Sequence, residues 1–141
     1  GRSAAAAAEG LVYVVGGTDD EGLELASNEC FDPGSCVWKV LPPLPTARSG
    51  CAAAAIGGML YVLGGRGGPE KLATVERFDV SAGLWTPVPS MPTARDGCAA
   101  AVASEAIYVF GGRGVGQTLP VAERFDPRSG QWEQLPPMPQ A

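Results

Sequence analysis

A chain of 141 residues, 45% of them hydrophobic, fits one domain able to bury its own core, which excludes a disordered segment. A net charge of -5 offers no basic footprint for a phosphate backbone, and no apolar run approaches the roughly 20 residues of a membrane span, so neither nucleic acid nor membrane is expected as a partner. The 20 Gly and 13 Pro are scattered among short apolar runs, and the start shows no signal-peptide pattern, so many short strands in a soluble, cytoplasmic protein are expected.

In chain order the strands repeat. The first unit, approximately residues 1–47, predicts strands at 3–8, 11–15, 27–31 and 37–41 from period-2 patterns and turn punctuation. The second, 48–94, predicts 51–56, 59–63, 74–78 and 84–88. The third, 95–141, predicts 98–103, 106–110, 121–125 and 131–135. Asp-Pro turns at 32–33 and 126–127 join the last two strands of their units. The alanine run at the start favours helix by intrinsic propensity, yet five residues are too few for an isolated helix. Small side chains suit strands that converge on a crowded axis.

The repeat is visible residue by residue. Trp38, Trp85 and Trp132 stand 47 residues apart, as do Glu29, Glu76 and Glu123, and Phe31, Phe78 and Phe125. Tyr-x-x-Gly-Gly recurs as Tyr13-Gly16-Gly17, Tyr61-Gly64-Gly65 and Tyr108-Gly111-Gly112. Of the four cysteines, Cys51 and Cys98 occupy equivalent places in alanine-rich runs and read as small buried thiols, while Cys30 and Cys36 are close enough to meet across one turn.

Tyr-x-x-Gly-Gly, followed by Glu-Arg-Phe-Asp at 76–79 and 123–126, then Trp, then a Met-Pro-x-Ala close, resembles the Kelch repeat, and three copies cover essentially the whole chain. The resemblance implies an all-β propeller with four-stranded blades. It also implies that the paired glycines form tight turns and that the Tyr and Trp pack between sheets, with Trp85 largely buried and Tyr61 near the same interface. Arg48 and Arg95 are then structural, forming buried ion pairs with Glu76 and Glu123 or their neighbours.

The chain has no histidine, so Ser-His-Asp and Cys-His nucleophile systems lack their base and histidine-based metal sites their main ligand. No enzyme, cofactor or metal is expected. The glycine-rich loops 64–68 and 111–116 open no helix and carry no Lys-Ser/Thr pair, which argues against a phosphate cradle. The acidic run 19–21 lacks the spaced ligands of a calcium loop and reads as solvated. Resemblance to adaptor-type Kelch domains implies that a partner protein or peptide is held by exposed loop residues. By position these are Thr18, Arg66 and Arg113 after the glycine pairs, with Ser49 and Asp96 in the connections between units. Two equivalent arginines favour acidic peptides, although both also fit ordinary solvated turns.

Closed propellers generally need four to eight blades, so three blades predict half of a six-bladed ring. A homodimer with Gly1 of one copy following Ala141 of the other would keep the register; a piece of a longer propeller is the other possibility. The function expected is thus an interaction module, the alternative being a self-assembling structural half-propeller without a natural ligand. A propeller enzyme comes third.

Overall fold

Short alternating apolar runs, each closed by a turn, build every regular element. The computed structural model describes residues 1–140, and its regular secondary structure is entirely strand. The first sheet is β1 (Ala4–Ala8), β2 (Leu11–Val15), β3 (Asn28–Asp32) and β4 (Val37–Val40), in that order and antiparallel throughout. The second runs β5 (Ala52–Ile56), β6 (Met59–Leu63), β9 (Val75–Asp79) and β10 (Leu84–Val88). Between β6 and β9 a small separate hairpin pairs β7 (Arg66–Gly67) with β8 (Glu70–Lys71). The third sheet is β11 (Ala99–Ala103), β12 (Ala106–Phe110), β13 (Ala122–Asp126) and β14 (Gln131–Leu135).

The inner strands β1, β5 and β11 lie side by side, as the propeller reading expects. Their leading ends are tied by Gly50 N–H donating to Arg2 O at 2.9 Å and Gly97 N–H to Gly50 O at 2.7 Å. Alanine at these positions lets the sheets approach, since larger side chains would crowd the axis. The third strand of each sheet begins one residue later than the sequence predicts and takes in its terminal Asp. That Asp also builds the next turn: Asp32, Asp79 and Asp126 accept from the backbone N–H of Gly34, Ser81 and Arg128 at 2.8, 3.0 and 2.9 Å. The end of the third unit at Ala141, and the junction expected there, lie outside the described residues.

Two apolar cores occupy the spaces between sheets. Tyr13, Val15 and Ala4 of the first sheet meet Leu60, Val62, Phe78 and Trp85 of the second. Tyr61, Leu63 and Val75 on the other face of the second sheet meet Ile107, Val109, Phe125 and Trp132 of the third. The expected sharing of one interface by Trp85 and Tyr61 is therefore corrected. Leu60 pairs with Phe78 and Phe78 with Trp85, whereas Tyr61 pairs with Arg77, so the period-2 pleat sends Tyr61 to the opposite face. Trp85 is half-buried rather than largely buried, and Trp38, at the equivalent place in the first sheet, is 55% exposed.

Each core is closed by an arginine that leaves one sheet and enters the next. Arg48 pairs with Glu76 and donates to the carbonyls of Gly64 and Thr74 at 2.9 and 3.0 Å. Arg95 pairs with Glu123 at 2.5 Å and donates to the carbonyls of Gly111 and Val121, both at 3.0 Å. Both guanidinium groups are buried, as the sequence leads one to expect.

All four cysteines are free, including the Cys30 and Cys36 that could have met across a turn. Burial pushes the Cys51 thiol up to about 11, against the opposing pull of Arg48, and pushes Cys98 up too. Since the thiolate is the nucleophile, iodoacetamide at pH 8 will label exposed Cys36 faster than buried Cys51 by on the order of a hundredfold. Peptide mapping after a timed quench reads the order; equal rates would contradict the burial of Cys51.

Candidate functional site

At one end of the sheets, the residue after each glycine pair bonds to the connection that enters an inner strand. Arg66 and Ser49 exchange backbone hydrogen bonds at 2.8 and 3.0 Å, and Arg113 and Asp96 do so at 2.8 and 3.1 Å. Thr18 N–H donates to Gly1 O at 2.6 Å, and the Gly1 ammonium returns a bond to Thr18 O at 2.7 Å. The five residues singled out in the sequence thus fall on one rim, at three repeat-equivalent bridges.

Their exposure differs from the expectation. Ser49 and Asp96 are buried rather than displayed in open loops, because the bridge turns both side chains beneath the rim. Thr18 and Arg66 are half-buried, and the Arg66 guanidinium is engaged with the Gly68 carbonyl at 3.0 Å. Only the Arg113 side chain, 62% exposed, stands well into solvent.

Asp96 organises the charge. Its carboxylate, 0% exposed, accepts from Lys71 Nζ at 2.7 Å and from Arg2 at 3.1 Å, with the Arg113 guanidinium 3.5 Å away. Burial alone would raise the pKa of this carboxyl, but the Lys71 hydrogen bond and charge, helped by Arg2 and Arg113, outweigh it and hold it below the usual carboxylate range. Three cations around one anion leave a local positive excess in a chain whose net charge is -5.

Lys71 was not singled out in the sequence. It reaches the site because the β7–β8 hairpin sets it directly opposite Arg66, a pairing foreshadowed only by the turn chemistry of Gly-Gly-Pro between them. Arg2 arrives from 94 residues away and carried no local signal. Lys71 and Arg113 border a cavity of about 350 Å³ completed by Gly114, Gly116, Gln117 and Thr118. The arrangement can hold a carboxylate between two cations, with the Gln and Thr side chains available as further hydrogen-bonding groups.

At the opposite end, a cavity of about 310 Å³ is lined by Ile56, Met59, Tyr61 and Pro127 under the exposed Arg128–Glu105 ion pair. Its charges are mutually satisfied, so it offers no comparable anchor. The acidic run 19–21 closes on itself, with Asp19 accepting the backbone N–H of Glu21 and Leu23, both at 2.9 Å.

Over residues 1–141 the chain matches the family described as the KLHDC2/KLHL20/DRC7 Kelch-repeats domain. It is 46% identical over 63 residues to the F-box/kelch-repeat protein At1g67480 of Arabidopsis thaliana, covering 45% of this chain and 17% of that protein. It is 45% identical over 62 residues to Kelch-like protein 35 of Mus musculus, covering 43% and 10% respectively. Against the Kelch-like ECH-associated protein 1B of Danio rerio it is 43% identical over 61 residues, again 43% of this chain and 10% of the relative. The matches therefore span less than a fifth of these relatives. Among solved structures, the structure of YjhT superposes with a TM-score of 0.82 at 18% identity, covering 99% of this chain and 53% of that one.

Proposed function

This chain belongs to the Kelch-repeat domain family, and from that premise we propose that it is a non-enzymatic propeller module of the cytoplasm that binds a protein or peptide partner through the rim carrying Thr18, Ser49, Arg66, Asp96 and Arg113. The observation that carries this reading is the buried Asp96 with its surplus of cations. Arg113 and Lys71 border a cavity while a third cation, Arg2, helps neutralise the carboxylate beneath them. A positive spot on an otherwise acidic chain draws acidic ligands to itself and away from the remaining surface. Acidic peptide segments fit it best. The name of the Danio rerio relative records association with another protein, and four free thiols suit a reducing compartment.

Ser49 and Asp96 act here from below, fixing the bridges and the cations, while Arg66, Arg113 and Lys71 face the ligand. Neutralisation tests this more cleanly than charge reversal, because a glutamate at 113 would confront Asp96 directly. For Arg66→Gln/Arg113→Gln, binding of a Glu-rich decapeptide, read by fluorescence anisotropy, should weaken at least about tenfold. The melting temperature should fall only slightly, since Arg113 is exposed, Lys71 and Arg2 still neutralise Asp96, and half-buried Arg66 loses only its local bonding to the Gly68 carbonyl. A Gln-rich control peptide should not bind. Unchanged affinity for the acidic peptide in the double variant would sink this face.

Two copies completing a six-bladed ring is the assembly we favour, supported by the apolar outer face of the first sheet, where Trp38 and Val40 are exposed. The same uncovered face favours self-assembly as a purely structural role.

A further inference from the structure

The cations around Asp96 exceed what that carboxylate needs. Its Oδ1 accepts from Lys71 Nζ at 2.7 Å and its Oδ2 from Arg2 at 3.1 Å, so each oxygen has a donor before Arg113 is reached. The Arg113 guanidinium lies 3.5 Å from Oδ2, long for a hydrogen bond, and its side chain is 62% exposed. Three cations against one carboxylate leave an excess of two positive charges.

That excess is held in place. The buried carboxylate keeps the head groups together against their mutual repulsion, and Arg2 reaches it by lying across Gly50, where a Cβ would come within 3.1 Å of the guanidinium. The cavity of about 350 Å³ bordered by Lys71 and Arg113 is otherwise lined by Gly114, Gly116, Gln117 and Thr118, so its lining among the described residues includes no carboxylate. Cavities elsewhere mix the signs: Glu105 lines the one at Arg128, and Asp126 and Glu133 line one at Arg124.

The donors then discriminate between anions. A peptide carboxylate has two oxygens and a single charge, and the planar fork of Arg113 alone can satisfy both. It would leave the Lys71 ammonium with donors unused and a positive charge unmatched. A phosphate monoester carries about -1.5 to -2 charges at pH 7 and three strong acceptor oxygens, enough to engage the Arg113 fork, the Lys71 ammonium and the Thr118 hydroxyl together. A phosphodiester, singly charged, falls short as the carboxylate does.

Resting on the acidic-ligand reading of this rim, we infer that the cavity between Lys71 and Arg113 is a phosphomonoester site, and that the group it takes is a phosphorylated side chain of a partner peptide. An anionic membrane bearing such headgroups is disfavoured by the net charge of -5, which repels an extended negative surface far more than one short peptide. Phosphorylation of the partner then tightens its capture.

Fluorescence anisotropy with three decapeptides of one sequence, carrying phosphoserine, glutamate or serine at a central place between two glutamates, provides the test. At pH 7.5 the phosphoserine peptide should bind at least about tenfold tighter than its glutamate counterpart, since two charges meet two cations. At pH 5.0 that preference should shrink to about twofold, because the phosphate has lost its second charge while the glutamate stays mostly ionised. Asp96, held below the usual carboxylate range, keeps its charge across this window, as do Lys71, Arg2 and Arg113. Lys71→Met and Arg113→Gln should each cut the preference at pH 7.5 to about threefold or less, whereas Lys71→Arg should keep most of it. Arg128→Gln, at the far end, should change neither affinity. Circular dichroism shows that each variant is folded. Equal binding of the phosphoserine and glutamate peptides at pH 7.5, or a preference that survives both Lys71→Met and Arg113→Gln, would overturn the phosphate site while leaving the acidic-peptide reading standing. If none of the peptides bound, both would fall. Inorganic phosphate that displaced the phosphopeptide at the peptide's own concentration would overturn the peptide as bearer of the group.

Discussion

Replacing Arg95 with methionine will destabilise the folded chain by about 3–5 kcal/mol, because it leaves a buried charge without its partner. Glu123 is 0% exposed, and among the described residues its only hydrogen-bond donor apart from Arg95 is Thr93 Oγ1 at 3.1 Å. The same substitution strips the Gly111 carbonyl of its guanidinium donor, and an unmet buried acceptor costs about 1–3 kcal/mol on its own, whereas Val121 O keeps the Gly111 N–H at 3.1 Å. Methionine fills much of the space, so the loss comes from electrostatics and hydrogen bonding rather than from a cavity. The double variant Arg95→Met/Glu123→Gln should recover part of the loss, since a neutral amide beside an apolar chain is cheaper to bury than a lone carboxylate. Urea unfolding gives both numbers. A loss below about 1 kcal/mol for the single variant would mean that Glu123 escapes to water or is protonated, and that the staple between the second and third sheets is not what holds them.

The fold was largely legible because each signal is local and recurs three times. The second strands, 11–15, 59–63 and 106–110, have the predicted bounds, since an apolar run ends abruptly at a glycine pair in every unit. The Arg48–Glu76 and Arg95–Glu123 pairs were among those that the Kelch resemblance implied, and the structure shows them at both places. What could not be read depends on contacts across the sheets. Ser49 and Asp96 look like loop residues in sequence, and their burial follows from bridges to Arg66 and Arg113 and, for Asp96, from cations 25 and 94 residues away. The face taken by Tyr61 required the register with Arg77, which a one-residue change would have reversed. The β7–β8 hairpin, only two residues per strand, carries too little periodicity to announce itself, and with it Lys71 stayed hidden.

Gly65→Ala will cost about 2–4 kcal/mol, the sum of a left-handed backbone and a collision. The φ of Gly65 is +99°, where an L side chain is strained wherever it stands. A Cβ there would also lie 2.6 Å from Ser49 O and 3.0 Å from Cys51 N, both backbone atoms that cannot turn aside as a side chain could. Ser49 O is the acceptor of Arg66 N–H, so relieving the collision must open the bridge that sets Arg66 on the rim. Stability and acidic-peptide binding should therefore fall together. Gly68→Ala provides the comparison: its φ of +64° lies in the left-handed range that L residues can enter at modest cost, and no heavy atom lies within 4 Å of the added carbon. That variant should lose only about 1–2 kcal/mol. The difference between the two, measured by urea unfolding under identical conditions, reports the close approach of Ser49 together with the more strained backbone of Gly65. If both alanine variants lost the same amount, the backbone contact at the rim would be looser than the structure has it, and the coupling between Gly65 and the binding face would fail with it.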